Sequence, residues 1–459
     1  MIVNSRELLA KPKDCSLCRK ARGYVVKALE VGLKAADPKY SIKKYLKVEN
    51  DNIIIGDLKV KPKRVVIIGT GKASCSMVKA VAKILGSRIE HGIISAPHQI
   101  AKKCRVSRVK VFKAGHPTPD SGSVEAAKYM IELLKPLNEE DLVIALISGG
   151  GSALLELPPP PLSLNDIQIT TSLLLKSGAT IQEINTVRKH LSMIKGGQLA
   201  KAAYPATLVS LIISDVVGDP IEFIASGPTA PDTTTFNDAK KVLEKYELWD
   251  KLPQLVRERI EAGCKGLIAE TPKSDDKVFE KVINIIVASN MTSLMAMKDY
   301  LKSLGLNVLV LTSRLQGEAR FVGEVLASIL IESYNTGYPK EPPLAILAGG
   351  ETTVTVKGYG RGGRNQELVM SASRIISGAH GLSLASIGSD GIDGVTDAAG
   401  ALADAHSYER AKRLKLDFDR ILANNDSYTY FKHLKDHIFT GFTGTNVNDL
   451  FVGVVLSKR

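Results

Sequence analysis

The sequence predicts an α/β protein of more than one domain, on three observations. Short β-branched and aliphatic runs alternate with stretches of helical periodicity, the pattern of a sheet layered with helices. At 459 residues the chain exceeds what one core organises, so two or three domains are expected. Several strand-like runs end in glycine, serine or aspartate, and in open α/β sheets ligands bind at such carboxyl ends.

The elements follow in order. An N-terminal helical region covers Ser5 to Ala36. Val65–Gly69 reads as a strand, Lys72–Leu85 as its helix, Gly92–Ser95 and Lys110–Ala114 as short strands, and Ser121–Leu134 as a helix. Leu142–Ser148 is a strongly apolar strand running into Gly149, Gly150 and Gly151. Four prolines (158–161) break the chain, Leu164–Leu199 is mostly helical, and Thr207–Ser214 is a buried strand ending at Asp215. The Pro-, Thr- and Asp-rich stretch from Pro228 to Asn237 sets a domain boundary, giving residues 1–236 and 237–459. Beyond it come a strand (Asn284–Ala288), a helix (Asn290–Leu304), a strand (Asn307–Leu311) and a helix (Gly317–Tyr334). Leu344–Ala348 and the alternating β-branched run Thr352–Val356 read as a hairpin about Gly349, Gly350 and Glu351. A helix starts at Asn365, and strands over Leu384–Gly388 and Asp449–Leu456 follow, the last with the option of packing back on the N-terminal domain.

Composition narrows the classes. No apolar run approaches the ~20 residues of a membrane span, and the opening segment lacks a signal-peptide core, so a cytoplasmic protein without a membrane partner is expected. Five scattered cysteines argue against a disulfide framework. Cys15 and Cys18 form a C-x-x-C, but neither a second C-x-x-C nor a paired-histidine motif accompanies it, so a structural role is expected in place of a metal or redox one. The net charge of +13 is concentrated in residues 1–113, which hold 26 Lys/Arg against 8 Asp/Glu. Without interleaved aromatics or a recognition helix, this excess points to small anions or a charged surface, and no nucleic-acid partner is expected.

The chemistry-bearing motifs sit at strand ends. Gly69-Thr70-Gly71-Lys72 resembles a broken dinucleotide fingerprint: Ser74 stands where a third glycine belongs, and Glu90 precedes the next strand. Lys72, at a helix start, suits a carboxylate or phosphoryl oxygen. Ser148, Gly149, Gly150, Gly151 and Ser152 make an anion cradle that is neither a Walker loop nor a nucleophile elbow. Asp215, with Asp219, and the group Asp390, Asp393, Asp397 and Asp404 place carboxylates in loops, where Asp215 and Asp390 suit Mg²⁺. Gly349, Gly350, Glu351, Arg361, Arg364 and Asn365 combine glycines, a helix start and two guanidiniums suited to phosphate or carboxylate. His116 reads as fixing its loop. Arg188, Lys189, His190 and Lys195 either face a ligand or form a solvated helix face.

Taken together, the segments GTGKAS (Gly69–Ser74), AGHPTPD (Ala114–Asp120), SGGGSALL (Ser148–Leu155), NTVRKHLSMIKGG (Asn185–Gly197), SDVVGDP (Ser214–Pro220), SGPTAPD (Ser226–Asp232), GGETTV (Gly349–Val354), GRGGRNQEL (Gly360–Leu368), SDGIDGVTDAAGA (Ser389–Ala401) and TGFTGTNVNDL (Thr440–Leu450) resemble the glycerate 2-kinase family with a C-terminal MOFRL domain. The resemblance spans nearly the whole chain in order. It implies a larger Rossmann-like N-terminal domain, a smaller α/β MOFRL domain at about 340–455, and an active site in the cleft between them. It also implies transfer of the ATP γ-phosphate to the 2-hydroxyl of D-glycerate with Mg²⁺ or another divalent cation. On that reading Lys72 fixes the glycerate carboxylate or the transferring phosphoryl group. Arg361 and Arg364 neutralise phosphoryl oxygens, and Asp215 or Asp390 holds the metal or orients the hydroxyl. A hydroxypyruvate reductase and a non-enzymatic anion- or nucleic-acid-binding protein are the rival readings. Nucleotide preference and self-association into a homo-oligomer stay open.

Overall fold

The computed structural model describes residues 1–12 and 15–457. The chain divides into two compact units, Pro38–Val287 and a second formed by Met1–Asp37 together with the chain from Ala288 onward.

The Pro38–Val287 unit begins with a small antiparallel sheet of β1 (Leu46–Glu49), β2 (Asn52–Ile55) and β3 (Leu58–Val60). Asn50 and Asp51 make its first turn with φ of 46° and 69°, the left-handed backbone that a two-residue hairpin requires. The main sheet contains β4 (Val65–Thr70), β5 (Ile89–Pro97), β6 (Val109–Ala114), β7 (Leu142–Ser148), β8 (Thr207–Ile213) and β9 (Val282–Ala288). Their spatial order is β6-β5-β4-β7-β8-β9, and the first five run parallel. This is the doubly wound arrangement, with the chain reversing its direction of travel across the sheet between β4 and β7. Both of those strands are buried along their whole length, because helices cover both faces, so their sequences read as continuous apolar runs. Val66, Ile68, Val143, Ala145, Leu208 and Ile212 pack against Ala126, Ala127, Met130 and Leu134 of the helix Ser121–Leu134. Each aliphatic side chain so buried contributes about 1.5–3 kcal/mol.

The second unit is built on a six-stranded sheet of β10 (Asn307–Leu315), β11 (Leu344–Gly350), β12 (Leu382–Gly388), β13 (Gly400–Asp404), β14 (His437–Ile438) and β15 (Asp449–Val455), in the order β10-β11-β15-β12-β13-β14. Only β10 and β11 are parallel neighbours; the remaining pairs are antiparallel. Alternate residues of the strands separate two cores. Leu344, Ile346 and Ala348 meet the helices Ala319–Thr336 and Arg364–Ile375, whereas Ala345 and Leu347 meet the helices Ser16–Ala36 and Asn290–Ser303.

Several expectations need correction. The compact units divide at 37/38 and 287/288 instead of 236/237, because the N-terminal helix joins the far end of the chain. Buried Arg22 donates to Asp404 and Asp436, each at 2.5 Å, and Arg410 bonds the same two carboxylates at 3.0 and 2.7 Å. Strand β15 inserts between β11 and β12 of its own unit, where both of its edges are paired. Thr352–Val356 forms no hairpin arm. Both edges of β11 are already paired, so this segment makes only a single bridge, Thr353 to Glu318. Among the described residues no helix is long and apolar enough to cross a membrane.

Candidate active site

Each unit gathers its own set of the expected site residues. In the Pro38–Val287 unit the set lies where β4 and β7 end side by side, the position at which doubly wound sheets open a ligand crevice. The two loops are stitched together: Lys72 N–H donates to the Gly149 carbonyl at 2.9 Å, and Ala73 N–H to Ser148 Oγ at 3.0 Å. Gly71, at φ 120°, lies so close to Ser148 that a Cβ there would overlap it, which explains the glycine. A Cβ on Gly149 would likewise overlap the Asp215 carboxylate, which places Asp215 against the backbone of the glycine turn. Gly150, at φ 79°, approaches His116: a Cβ would lie 2.9 Å from the imidazole and 3.3 Å from the Lys72 side chain.

Lys72, His116, Ser148, Gly149, Gly150 and Asp215 therefore share one small region. Among the described residues no carboxylate pairs with the Lys72 ammonium. Partial desolvation, and then the charge of Lys72, hold the His116 imidazole below its usual value. Sequence reasoning favoured a loop-fixing role for His116 over a catalytic one; the signal it lacked was the approach of Gly150 from another strand end. Gly69 has a packing role within the sheet, since a Cβ on it would sit 3.0 Å from Leu146 and 3.1 Å from Ile94.

Gly151 and Ser152 turn inward. The Ser152 hydroxyl bonds Ser226 at 2.7 Å, and the Arg188 guanidinium donates to the Ser152 carbonyl at 2.7 Å. Behind this turn Glu156 accepts from Lys195 at 2.6 Å and lies 3.6 Å from Arg188, so two buried cations share one carboxylate. Burial, opposed by Glu156 and assisted by Arg188, lowers Lys195 to about 8. Arg188 Nε is buried without a hydrogen-bond partner. Lys189 and His190 are buried against Asp232 and Glu270, at 3.1 Å each, so this helix is not a solvated basic face.

In the second unit the antiparallel insertion of β15 decides the site. Asp449 pairs in register with Gly350 on one side and Gly388 on the other. Its carboxylate takes two bonds from Arg364, at 2.6 and 3.0 Å, and one from Asn365 at 3.0 Å. The remaining arm of Arg364 holds Glu351 at 2.6 Å. Burial alone would weaken this guanidinium, but Asp449 and Glu351 outweigh it and raise Arg364 above its ordinary value. In the sequence Asp449 was only the first residue of the last strand; its register with Gly350 brings its carboxylate to Arg364.

The start of the helix Arg364–Ile375 is already occupied. Asp393 accepts the backbone N–H groups of Asn365 and Gln366 at 3.0 and 2.9 Å, as an internal anion at the helix N-terminus. The glycine-rich loop is likewise committed: N–H groups of Lys357, Gly358 and Tyr359 donate to the side chains of Asn424 and Asn425, and Arg361 N–H to Asp426. Each such bond contributes roughly 0.5–1.5 kcal/mol net. Arg361 is exposed, its guanidinium 4.7 Å from the Tyr428 ring centroid. Asp390 accepts from Ile392 N–H at 3.1 Å, an Asx turn. A Cβ on Gly349 would overlap the Asn290 amide, and one on Gly350, at φ 148°, the Leu315 backbone.

A family model described as "Domain of unknown function (DUF4147)" matches residues 24–261, and one described as "MOFRL family" matches residues 344–449. A glycerate 2-kinase of Pyrococcus horikoshii is 45% identical over 429 residues, covering 93% of this chain and 96% of its own. A chain from Agrobacterium vitis, provisionally named a hydroxypyruvate reductase, is 40% identical and covers 94% of this chain and 93% of its own. The crystal structure of glycerate kinase from Thermotoga maritima superposes with a TM-score of 0.85 at 38% identity, covering 94% of this chain and 98% of that one.

Proposed function

Because this chain belongs to the glycerate kinase family that carries the DUF4147 and MOFRL regions, we propose that it transfers the γ-phosphate of ATP to the 2-hydroxyl of D-glycerate, giving 2-phosphoglycerate. The observation that carries most weight is the Lys72 ammonium at the β4/β7 switch point, which forms no ion pair with a carboxylate among the described residues. An anionic ligand is the natural complement of such a group, and glycerate and ATP supply a carboxylate and phosphoryl oxygens.

On this reading Lys72 holds the glycerate carboxylate or the transferring phosphoryl group, with the Ser148–Ser152 turn and Gly69–Gly71 shaping its surroundings. His116 stands beside Lys72, and its lowered pKa keeps the imidazole neutral near pH 7, able to accept the hydroxyl proton. Asp215 is the carboxylate we assign to Mg²⁺. Oxygen donors at a strand end fit that hard cation, which usually takes one or two carboxylates together with substrate phosphate. When bound, the ion neutralises charge developing on the phosphoryl oxygens. Asp390 is proposed as a further carboxylate for the metal or nucleotide. Arg361 supplies an exposed positive charge for phosphate. Arg364, already held by Asp449 and Glu351, acts by fixing Glu351 and Asp449, the carboxylate to which Asn365 also donates, beside Gly349 and Gly350. We place the enzyme in the cytoplasm, with D-glycerate and ATP as its partners.

The test is purified protein with ATP, Mg²⁺ and D-glycerate, followed by enolase alone. Enolase acts on 2-phosphoglycerate directly, so prompt phosphoenolpyruvate is the expected result. A product that first needs phosphoglycerate mutase would move phosphorylation to the 3-hydroxyl, and absence of product would overturn the proposal. A reductase is the weaker reading. Ser74, in place of a third fingerprint glycine, is fully buried and donates to the Ser95 carbonyl at 2.8 Å, filling the space that close helix–strand packing needs. Turnover of hydroxypyruvate with NADH or NADPH would reverse that ranking.

A further inference from the structure

The N-terminal C-x-x-C, which no part of the kinase chemistry uses, lies beside two histidines from distant parts of the chain. Cys15 caps the helix Ser16–Ala36 and Cys18 is buried in its first turn. His380 comes from the turn that leads into β12, and His406 from the turn that leaves β13. One ligand atom from each of the four residues lies within 4.8 Å of every other. We propose that Cys15, Cys18, His380 and His406 form a structural zinc site that fastens the N-terminal helix to the MOFRL region within the same unit.

The distances suit that ion. Zinc–sulfur bonds of about 2.3 Å and zinc–nitrogen bonds of about 2.0–2.1 Å in a tetrahedron place sulfur and nitrogen about 3.5 Å apart. Cys18 Sγ and His406 Nε2 are 3.5 Å apart. The imidazoles of His380 and His406 stand edge to face with centroids 5.0 Å apart, so both reach one point without stacking.

The surroundings suit thiolates. Each sulfur faces one backbone donor: Cys18 N–H points at Cys15 Sγ at 3.1 Å, and Gly381 N–H at Cys18 Sγ at 3.5 Å. A neutral sulfur is a weak acceptor, whereas metal-bound thiolates are held by such second-layer donors. The two histidine turns are prebuilt against each other, since Gly378 N–H donates to the Ala405 carbonyl at 2.9 Å. His406 N–H is held by Asp404 at 2.8 Å, within the ion network that buries Arg22 on the same helix. Two thiolates and two neutral imidazoles cancel the dication, so the completed site brings no net charge to fully buried Cys18. With four protein ligands no position remains open, which makes the site structural.

In the structure Cys15 and Cys18 are joined as a disulfide. A dithiol reductant supplies the two electrons and two protons that convert it to two thiols, and zinc binding then releases both protons as the thiolates form. The sulfurs separate to about 3.8 Å in the tetrahedral site.

The experiment uses the full chain, reduced with dithiothreitol under anaerobic conditions, loaded with zinc and freed of excess. Metal per chain is measured by atomic emission, and thiols by reaction with a chromogenic disulfide. One zinc per chain is expected, with protection of two thiols. Cobalt in place of zinc should give thiolate charge-transfer and tetrahedral d–d bands that disappear in Cys15→Ser. His380→Asn alters an exposed side chain, so it tests the ligand set without threatening the fold; zinc affinity should fall by more than tenfold. Reduced wild-type protein that takes up no stoichiometric zinc, or zinc content and affinity unchanged in both Cys15→Ser and His380→Asn, overturns the proposal.

Discussion

Replacing Lys72 with methionine separates chemistry from folding. The ammonium pairs with no carboxylate among the described residues, so its removal leaves no buried charge behind. The bonds that join its loop to the glycine turn come from the Lys72 and Ala73 backbone and survive the substitution. Stability should therefore change by no more than about 0.5 kcal/mol. Loss of one preorganised group that meets developing phosphoryl charge costs roughly 10²–10³ in kcat, or about 2.7–4 kcal/mol. The enolase-coupled assay distinguishes the two roles open to Lys72. A raised KM with unchanged kcat means that it binds the glycerate carboxylate equally in the ground and transition states. A fall in kcat means that it acts on the transferring group. A folded Lys72→Met protein with wild-type kcat and KM would remove Lys72 from the site and refute the switch-point reasoning.

The other predictions test particular contacts. Arg364→Leu strands the Asp449 carboxylate, so it should lower stability by about 3–5 kcal/mol as well as activity; an unchanged urea midpoint would mean that the pair carries no load. Gly150→Ala adds a backbone cost of roughly 1–2 kcal/mol at φ 79° and pushes a methyl against His116 and Lys72, whereas Gly178→Ala, at φ 77° in open space, adds the same backbone cost alone. Activity should fall in the first and persist in the second; equal loss in both would detach Gly150 from the site. His437 is lowered to about 4 by burial, against the opposing pull of Asp397 and Asp436. Since the unfolded ring titrates near about 6.5, the unfolded chain binds more protons between these values, and stability should be complete above pH 6.5 and decline as pH falls toward 4. His437→Gln should flatten that acid limb in thermal melts, and an identical slope would assign the decline to other groups.

How much was legible in the sequence follows from which interactions are local. Strands β4, β7, β8, β11 and β12 were readable because burial on both faces leaves uninterrupted aliphatic runs, and the glycine endings of four of them and the Ser214-Asp215 ending of β8 were visible beside them. The pairing order was not, since hydrogen bonding places β7 beside β4 across two intervening strands. Thr352–Val356 has the composition of a strand and still forms none, because β10 and β15 already occupy both edges of β11. The domain boundary failed for a related reason: Arg22 finds its carboxylates 382 and 414 residues away, a distance at which no window of sequence carries a signal.

The sequence by itself determined most of the strands and helices and the chemical types offered at the strand ends. Residue identity and short-range periodicity are sufficient for these. Only the tertiary structure decided which of those groups are already spent. Asp393 fills the helix start that a ligand was expected to occupy, and Asp449 engages Arg364 from 85 residues away, while the Lys72 ammonium, in the region of Ser148, His116 and Asp215, forms no ion pair with a carboxylate among the described residues. The same long-range folding brings His380 and His406 to Cys15 and Cys18. Electrostatic and hydrogen-bond partners are selected by distance in space, and that distance is set when the sheets assemble.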